Sequence, residues 1–139
     1  KVKQMPFKQK TNLELAGDFE ATYSGWVPDY PDPTAFLQIM TTGNPQNNTD
    51  WSNKEYDKLI KDANGKLLQN EDERNATLQK AEEILLNDAP VAPIYQKGEA
   101  HLTNPQVKGL VYHKVGPDTT LKDVYIDKSI DRETGKKKK

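Results

Sequence analysis

The stretch Gly25-Trp26-Val27-Pro28-Asp29-Tyr30-Pro31-Asp32-Pro33-Thr34 limits what this chain can fold into more than any other. Each proline holds φ near about −65° and pushes the residue before it towards extended backbone. Pro28, Pro31 and Pro33 therefore make a non-helical segment that is stiff before anything binds to it. The segment presents one indole (Trp26), one phenol (Tyr30) and two carboxylates (Asp29 and Asp32). Aromatic faces beside an anion suit a ligand with an apolar body and a positive end, because the rings supply area and cation attraction while the carboxylate supplies counter-charge. A purely structural reading stands beside this one: a strand-to-helix connection with Pro33 in the first helical turn, Asp32 as its cap and Trp26 in the core.

Around this segment the core is expected to be thin. The 139 residues suffice for one compact domain, but only 34% are hydrophobic and 29% are charged, which suits a surface-rich domain or a piece of something larger. Positive and negative charges nearly balance, leaving a net charge of −1. There is no basic field for nucleic acid, and the one like-charge run, Lys136 to Lys139, reads as a solvated tail or an artificial appendage. No apolar run is long enough to span a bilayer, and any export signal is expected upstream of these residues. The absence of cysteine excludes disulfides and thiolate chemistry, without separating cytoplasm from a Gram-positive exterior.

Taken in order, Lys1 to Met5 reads as a short strand and Phe7 to Ala16 as a helix closed by Gly17 at C′. Phe19 to Trp26 alternates as a strand would, delivering Trp26 and Asp29 at its C-terminal end, where open α/β sheets bind ligands. Thr34 to Met40 is a short helix. Thr41 to Asn53, nearly all Thr, Gly, Asn, Pro, Gln and Asp, reads as a long exposed loop. The glycosylation-type triplets Asn47-Asn48-Thr49 and Asn75-Ala76-Thr77 read as chance occurrences in an Asn-rich chain. Tyr56, Leu59, Ile60, Ala63 and Leu67 mark one amphipathic helix, started near Ser52 and Asn53. Leu78, Ala81, Ile84 and Leu85 mark another, started near Asn70 and stopped before Pro90. Gly65 and Gln69-Asn70 between them make an antiparallel helix pair with a short turn the natural arrangement, and both helices are expected to pack on the sheet. Val91 to Tyr95, Ala100 to Thr103, Val107 to Tyr112 and Thr120 to Ile126 read as strands, and Ser129 onward has the composition of disorder.

Catalytic equipment is sparse. His101 and His113 are the only histidines; they sit twelve apart on expected strands, outside any ligand spacing, and read as structural. No glycine-rich phosphate loop is present. Asp29 and Asp32 could form an acid/base pair, although one of them is better used as a helix cap. No catalytic residue, metal ligand or cofactor is assigned, and binding is favoured over catalysis. Two alternatives stay open: a small hydrolase using Asp29 and Asp32, and a protein-interaction module docking through the Trp26 strip.

Five pieces in order carry a family resemblance: Gly25-Trp26-x-x-Asp29-Tyr30-x-x-Pro33-Thr34-x-Phe36-Leu37, Tyr56-Asp57-x-Leu59, a Glu-rich helix with Ala81-Glu82, Asp88-Ala89-Pro90, and Val91-Ala92-Pro93-Ile94-Tyr95. From about residue 1 to 127 the chain resembles the C-terminal part of the oligopeptide-binding proteins of peptide ABC importers. The resemblance implies an α/β fold, part of the second lobe of a type 2 periplasmic-binding-protein fold with a mixed sheet and packed helices. It implies a second-lobe segment over 1–98, strands over 99–127 that return to the first lobe, and a disordered polar tail over 128–139. By the same resemblance Asp29 would pair with the α-ammonium of a peptide and Trp26 would line a side-chain pocket, with Tyr30 beside them in the ligand-binding set. The implied partners are an oligopeptide, the missing first lobe and a membrane permease. The implied location is extracellular, through an N-terminal lipid, or periplasmic. Pro28 and Pro31-Asp32 depart from the family pattern and leave the preferred peptide open. Without the first lobe, Ala100 to Ile126 should be the less well packed part, with an exposed apolar edge that invites dimerisation.

Overall fold

The computed structural model describes residues 1–138 and divides the chain into two compact units. One comprises residues 1–28 and 32–92; the other comprises residues 29–31 and the chain from 93 onward. The α/β class holds, with helices in the first unit and strand pairing in the second.

In the first unit, α1 (Phe7–Leu15) ends in a Schellman motif. Gly17 takes φ 68°, its N–H donates to the Glu14 carbonyl and the Asp18 N–H donates to the Leu13 carbonyl, as a left-handed C′ glycine allows. No residue of α1 is buried. Then come α2 (Thr34–Leu37), continued by a 3-10 turn over Gln38–Met40, α3 (Lys54–Ala63) and α4 (Glu71–Asp88). Asn53 caps α3, its side chain accepting the N–H groups of Glu55 and Tyr56. Asn70 caps α4, accepting from the Glu73 N–H while its amide donates back to the Glu73 carboxylate. Each cap satisfies donors that the first turn leaves without partners, an effect typically of about 1 kcal/mol.

The apolar stripes close on each other. Tyr56, Ile60 and Ala63 of α3 meet Leu78, Ala81 and Leu85 of α4, with Leu37 and Met40 completing the buried cluster and Trp51, Leu59, Ile84 and Val91 around it. Fully burying one such leucine or isoleucine stabilises by about 1.5 to 3 kcal/mol, so this cluster is what holds the unit together. Tyr56 is wholly buried; its hydroxyl donates to the Leu37 carbonyl at 2.6 Å, and burial pushes its pKa up. The helices therefore pack on one another, where a sheet had been expected beneath them.

Several expected strands are absent for one shared reason: a strand must find a neighbour for its backbone groups. Phe19 to Trp26 alternates correctly but has no ladder partner, and neither do Lys1 to Met5, Val91 to Tyr95 or Ala100 to Thr103. Side chains tie the Phe19 to Trp26 segment to α1 instead. Thr22 Oγ1 donates to Glu14 Oε1 at 2.7 Å, and Lys10 Nζ reaches Ser24 Oγ at 3.3 Å and Glu14 at 2.7 Å.

The long loop Thr41 to Asn53 has little apolar surface, as expected, yet it is well organised. The Asn47 amide donates to the carbonyls of Met40, Thr41 and Trp51, while its oxygen accepts from the N–H and hydroxyl of Thr49. The nitrogen that a glycan would need is thus committed to the backbone. The far end of the loop is pinned by Asp88, which accepts from Trp51 Nε1 at 3.1 Å and Asn53 Nδ2 at 3.0 Å. α4 stops one residue later at Ala89, which sits at φ 53°.

In the second unit, β1 (Val107–Lys108) pairs antiparallel with β4 (Tyr125–Ile126), and β2 (Val111–Tyr112) with β3 (Thr119–Thr120). The single strand expected over Val107 to Tyr112 is broken at Gly109. Its φ is 74°, and a Cβ there would lie 2.0 Å from the Asp123 carbonyl oxygen. Among the described residues of this unit only Ile130 is a buried hydrophobic, so its packing is thin, as expected. Residues 128–138, expected to be disordered, form a hairpin instead. Ile130 bridges to Lys137, the Asp131 N–H donates to the Lys136 carbonyl, and the Lys138 N–H donates to the Ser129 carbonyl. Lys139 lies outside the described residues.

Candidate functional site

The proline-rich segment does two jobs, divided between the units. The chain leaves the first unit after Pro28 and re-enters it at Asp32, so Trp26 and Asp32 belong to one unit and Asp29 and Tyr30 to the other.

Within the first unit Trp26 is anchored by its edge. Its Nε1 donates to the Ala35 carbonyl of α2 at 2.8 Å, and the side chain stays 37% exposed. The single indole donor is satisfied by the protein, which leaves the ring free to offer apolar contact. Asp32 is a clamp. Its Oδ1 accepts the Thr34 N–H at 2.9 Å, the Thr34 hydroxyl at 2.6 Å and Arg74 Nη2 at 2.9 Å. The Arg74 guanidinium first, then Thr34, hold the Asp32 carboxyl down to about 2, against the opposing effect of partial burial. Arg74 Nε donates to the Ala63 carbonyl at 3.0 Å. One guanidinium thus joins the start of α2, the end of α3 and the start of α4, a job for planar, directional donors.

In the second unit, Asp29 is exposed, and its carboxylate makes no hydrogen bond or ion pair among the described residues. Tyr30 is 38% exposed. The two aspartates, three apart in sequence, therefore have opposite environments. Asp32 is spent on structure, so it does not supply the second carboxylate of an acid/base pair, and nothing in the structure supports the hydrolase alternative.

The histidines are engaged within the second unit. His101 stacks on Tyr112 at 4.0 Å between ring centroids, and His113 Nε2 lies 2.7 Å from the Thr120 hydroxyl. No cluster of three or more metal-ligating side chains occurs among the described residues. One hollow in the first unit is lined by Leu15, Gly17, Asn44, Asn47, Asp50 and Trp51, and contains none of Trp26, Asp29 or Tyr30.

Sequence reasoning missed Arg74, Asp88 and Asn47 as organising residues. A signal existed for Arg74: with Arg132 it is one of only two arginines in a chain whose other cations are lysines. An arginine kept among lysines marks a place where fork geometry matters.

No family model matches the chain. The dipeptide-binding protein DppE of Bacillus subtilis is 47% identical to it over 98 residues, 70% of this chain and 18% of that protein. Among solved structures, the substrate-binding domain of an oligopeptide ABC transporter from Bacillus anthracis superposes with a TM-score of 0.75 at 37% identity, covering 90% of this chain and 24% of that one. OppA of Listeria monocytogenes, solved with bound peptide, superposes at 0.71 with 36% identity, covering 92% of this chain and 24% of its own. The chain thus spans less than a quarter of the length of these relatives. Over that span it is homologous to the oligopeptide- and dipeptide-binding proteins of ABC transporters.

Proposed function

We propose that the chain is a segment of an extracellular peptide-binding protein that captures oligopeptides and delivers them to the permease of an ABC importer. Homology to peptide-binding proteins over 70 to 92% of the chain supports the class. The observation that carries the site is the accessible, uncommitted carboxylate of Asp29, in the same proline-stiffened segment as the half-exposed rings of Trp26 and Tyr30. A peptide needs its charged terminus neutralised and its side chains tolerated. One fixed carboxylate with adaptable apolar surface does both without reading sequence. In this reading Asp29 takes the α-ammonium, and Trp26 and Tyr30 contact the first side chains. Residues 1–98 belong to the second lobe, 99–127 return to the first, and a lipid at the N-terminus of the longer protein holds it at the membrane.

The test is calorimetry on the full-length protein with a free and an N-acetylated peptide. Asp29→Ala should cost about 2 to 5 kcal/mol of affinity, as when a desolvated charge pair loses one partner, and acetylation should cost a similar amount. Equal losses from Asp29→Ala and Asp32→Ala, or indifference to acetylation, would remove Asp29 from this role.

A further inference from the structure

Charge along the chain is divided unevenly. Residues 128–139 contain six Lys or Arg and two Asp or Glu, whereas the preceding residues contain fourteen and nineteen. A net charge of −1 therefore conceals an acidic body and a strongly basic end, the kind of asymmetry that marks an interaction segment.

The hairpin gives that basic end a fixed place. Ile130 is buried in the second unit, its carbonyl accepts from Gln106 Nε2 at 2.7 Å, and the Asp127 N–H donates to the Gln106 carbonyl at 2.8 Å. The neighbouring carboxylates are turned to the backbone of their own turns. Asp127 accepts from the N–H and hydroxyl of Ser129, and Asp131 from the N–H groups of Glu133 and Thr134 and the Thr134 hydroxyl. Lys128, Arg132, Lys136, Lys137 and Lys138 are all exposed, and none forms an ion pair among the described residues. A single bridged turn thus gathers five exposed cations against the two carboxylates of Asp131 and Glu133, leaving a net positive patch.

We infer that this hairpin is a docking element for an anionic phospholipid surface. Several cations with flexible stems, and no pocket or planar recognition geometry among them, suit a field of phosphate headgroups, where each lysine near the surface gains about 1 kcal/mol. A nucleic acid offers the same phosphate charge, and the test below separates the two.

The experiment is sedimentation of the protein with extruded vesicles of phosphatidylglycerol and phosphatidylcholine, against vesicles of phosphatidylcholine alone, at 50 and 500 mM NaCl. Partitioning should require the anionic lipid and collapse at high salt. It should fall on the order of a hundredfold in the K136Q/K137Q/K138Q variant, whose backbone hairpin is undisturbed. A control variant, K54Q/K58Q/K61Q, removes the same charge from α3 and should bind as the parent does. Absence of binding at 50 mM salt, equal binding to neutral vesicles, or equal losses in the two triple variants would overturn the inference. Tighter capture of an RNA oligonucleotide than of the anionic vesicles would replace it with a nucleic-acid reading.

Discussion

Asp32→Asn tests the internal architecture of the proline-rich segment. In the folded chain the Asp32 carboxyl sits at about 2 instead of its ordinary 3.8, chiefly because Arg74 hydrogen-bonds to the ionised form. A depressed carboxyl contributes stability that is fully present above its unfolded value and is lost as pH falls through its folded value. At about 1.4 kcal/mol per pH unit, the shift corresponds to a ceiling of roughly 2 to 3 kcal/mol at neutral pH, most of which is lost by pH 2. The side chain is 30% exposed, and solvent screening brings the neutral-pH figure down to about 1 to 2 kcal/mol. Both tryptophans lie in the first unit, so urea unfolding followed by tryptophan fluorescence reports the relevant part of the molecule. The difference in unfolding free energy between parent and Asp32→Asn should be about 1 to 2 kcal/mol at pH 6 and should close to within a few tenths by pH 2. A difference that stays constant across this range would mean that the Arg74 pair contributes nothing, and that Asp32 acts only through its neutral hydrogen bond to Thr34.

Gly109→Ala would place a methyl group where the Asp123 carbonyl lies 2.0 Å away, on a backbone at φ 74°. The β1 and β4 ladder should open, with hydrogen exchange at Val107, Lys108, Tyr125 and Ile126 faster by tenfold or more while α3 and α4 amides stay unchanged. Asn47→Ala would strip three carbonyls of their side-chain donor. Urea unfolding should show a loss of about 1 to 3 kcal/mol, moderated by water reaching the loop.

How much of this was legible follows from the range of each interaction. The caps Asn53 and Asn70, the stripes of α3 and α4 and the glycine that closes α1 are contacts within one or two helical turns, and spacing reveals them directly. Phe19 to Trp26 shows the opposite case. Its alternation satisfies the local rule for a strand, but a ladder depends on a partner whose identity lies elsewhere, and none of the described residues supplies one. The Thr41 to Asn53 loop fell between these cases. Its poverty in apolar residues was visible, but composition does not show that one asparagine amide will be shared among three carbonyls. The hairpin after Asp127 was hidden similarly. A charged, polar segment reads as disorder unless the burial of one residue, Ile130, is known.

Asp29 and Asp32 bring these lessons to the site itself. They share a residue type, a stiff backbone and proline neighbours, and locally only the capping position of Asp32 ahead of Thr34 separates them. The distinction is completed by Arg74, forty-two positions beyond Asp32, which the packing of α3 against α4 brings to 2.9 Å from its carboxylate. That one contact fixes Asp32 at the entry to α2, and α2 in turn supplies the Ala35 carbonyl that holds Trp26 by its edge. The helix pair thus acts on Trp26 and Asp32 of the proline-rich segment through a guanidinium and a carbonyl. The core of the first unit, which meets no ligand in the proposed function, orients the indole that would, while the Asp29 carboxylate makes no hydrogen bond or ion pair among the described residues. In the proposed function this exposed charge on a stiffened backbone would meet the peptide ammonium with little conformational entropy left to lose.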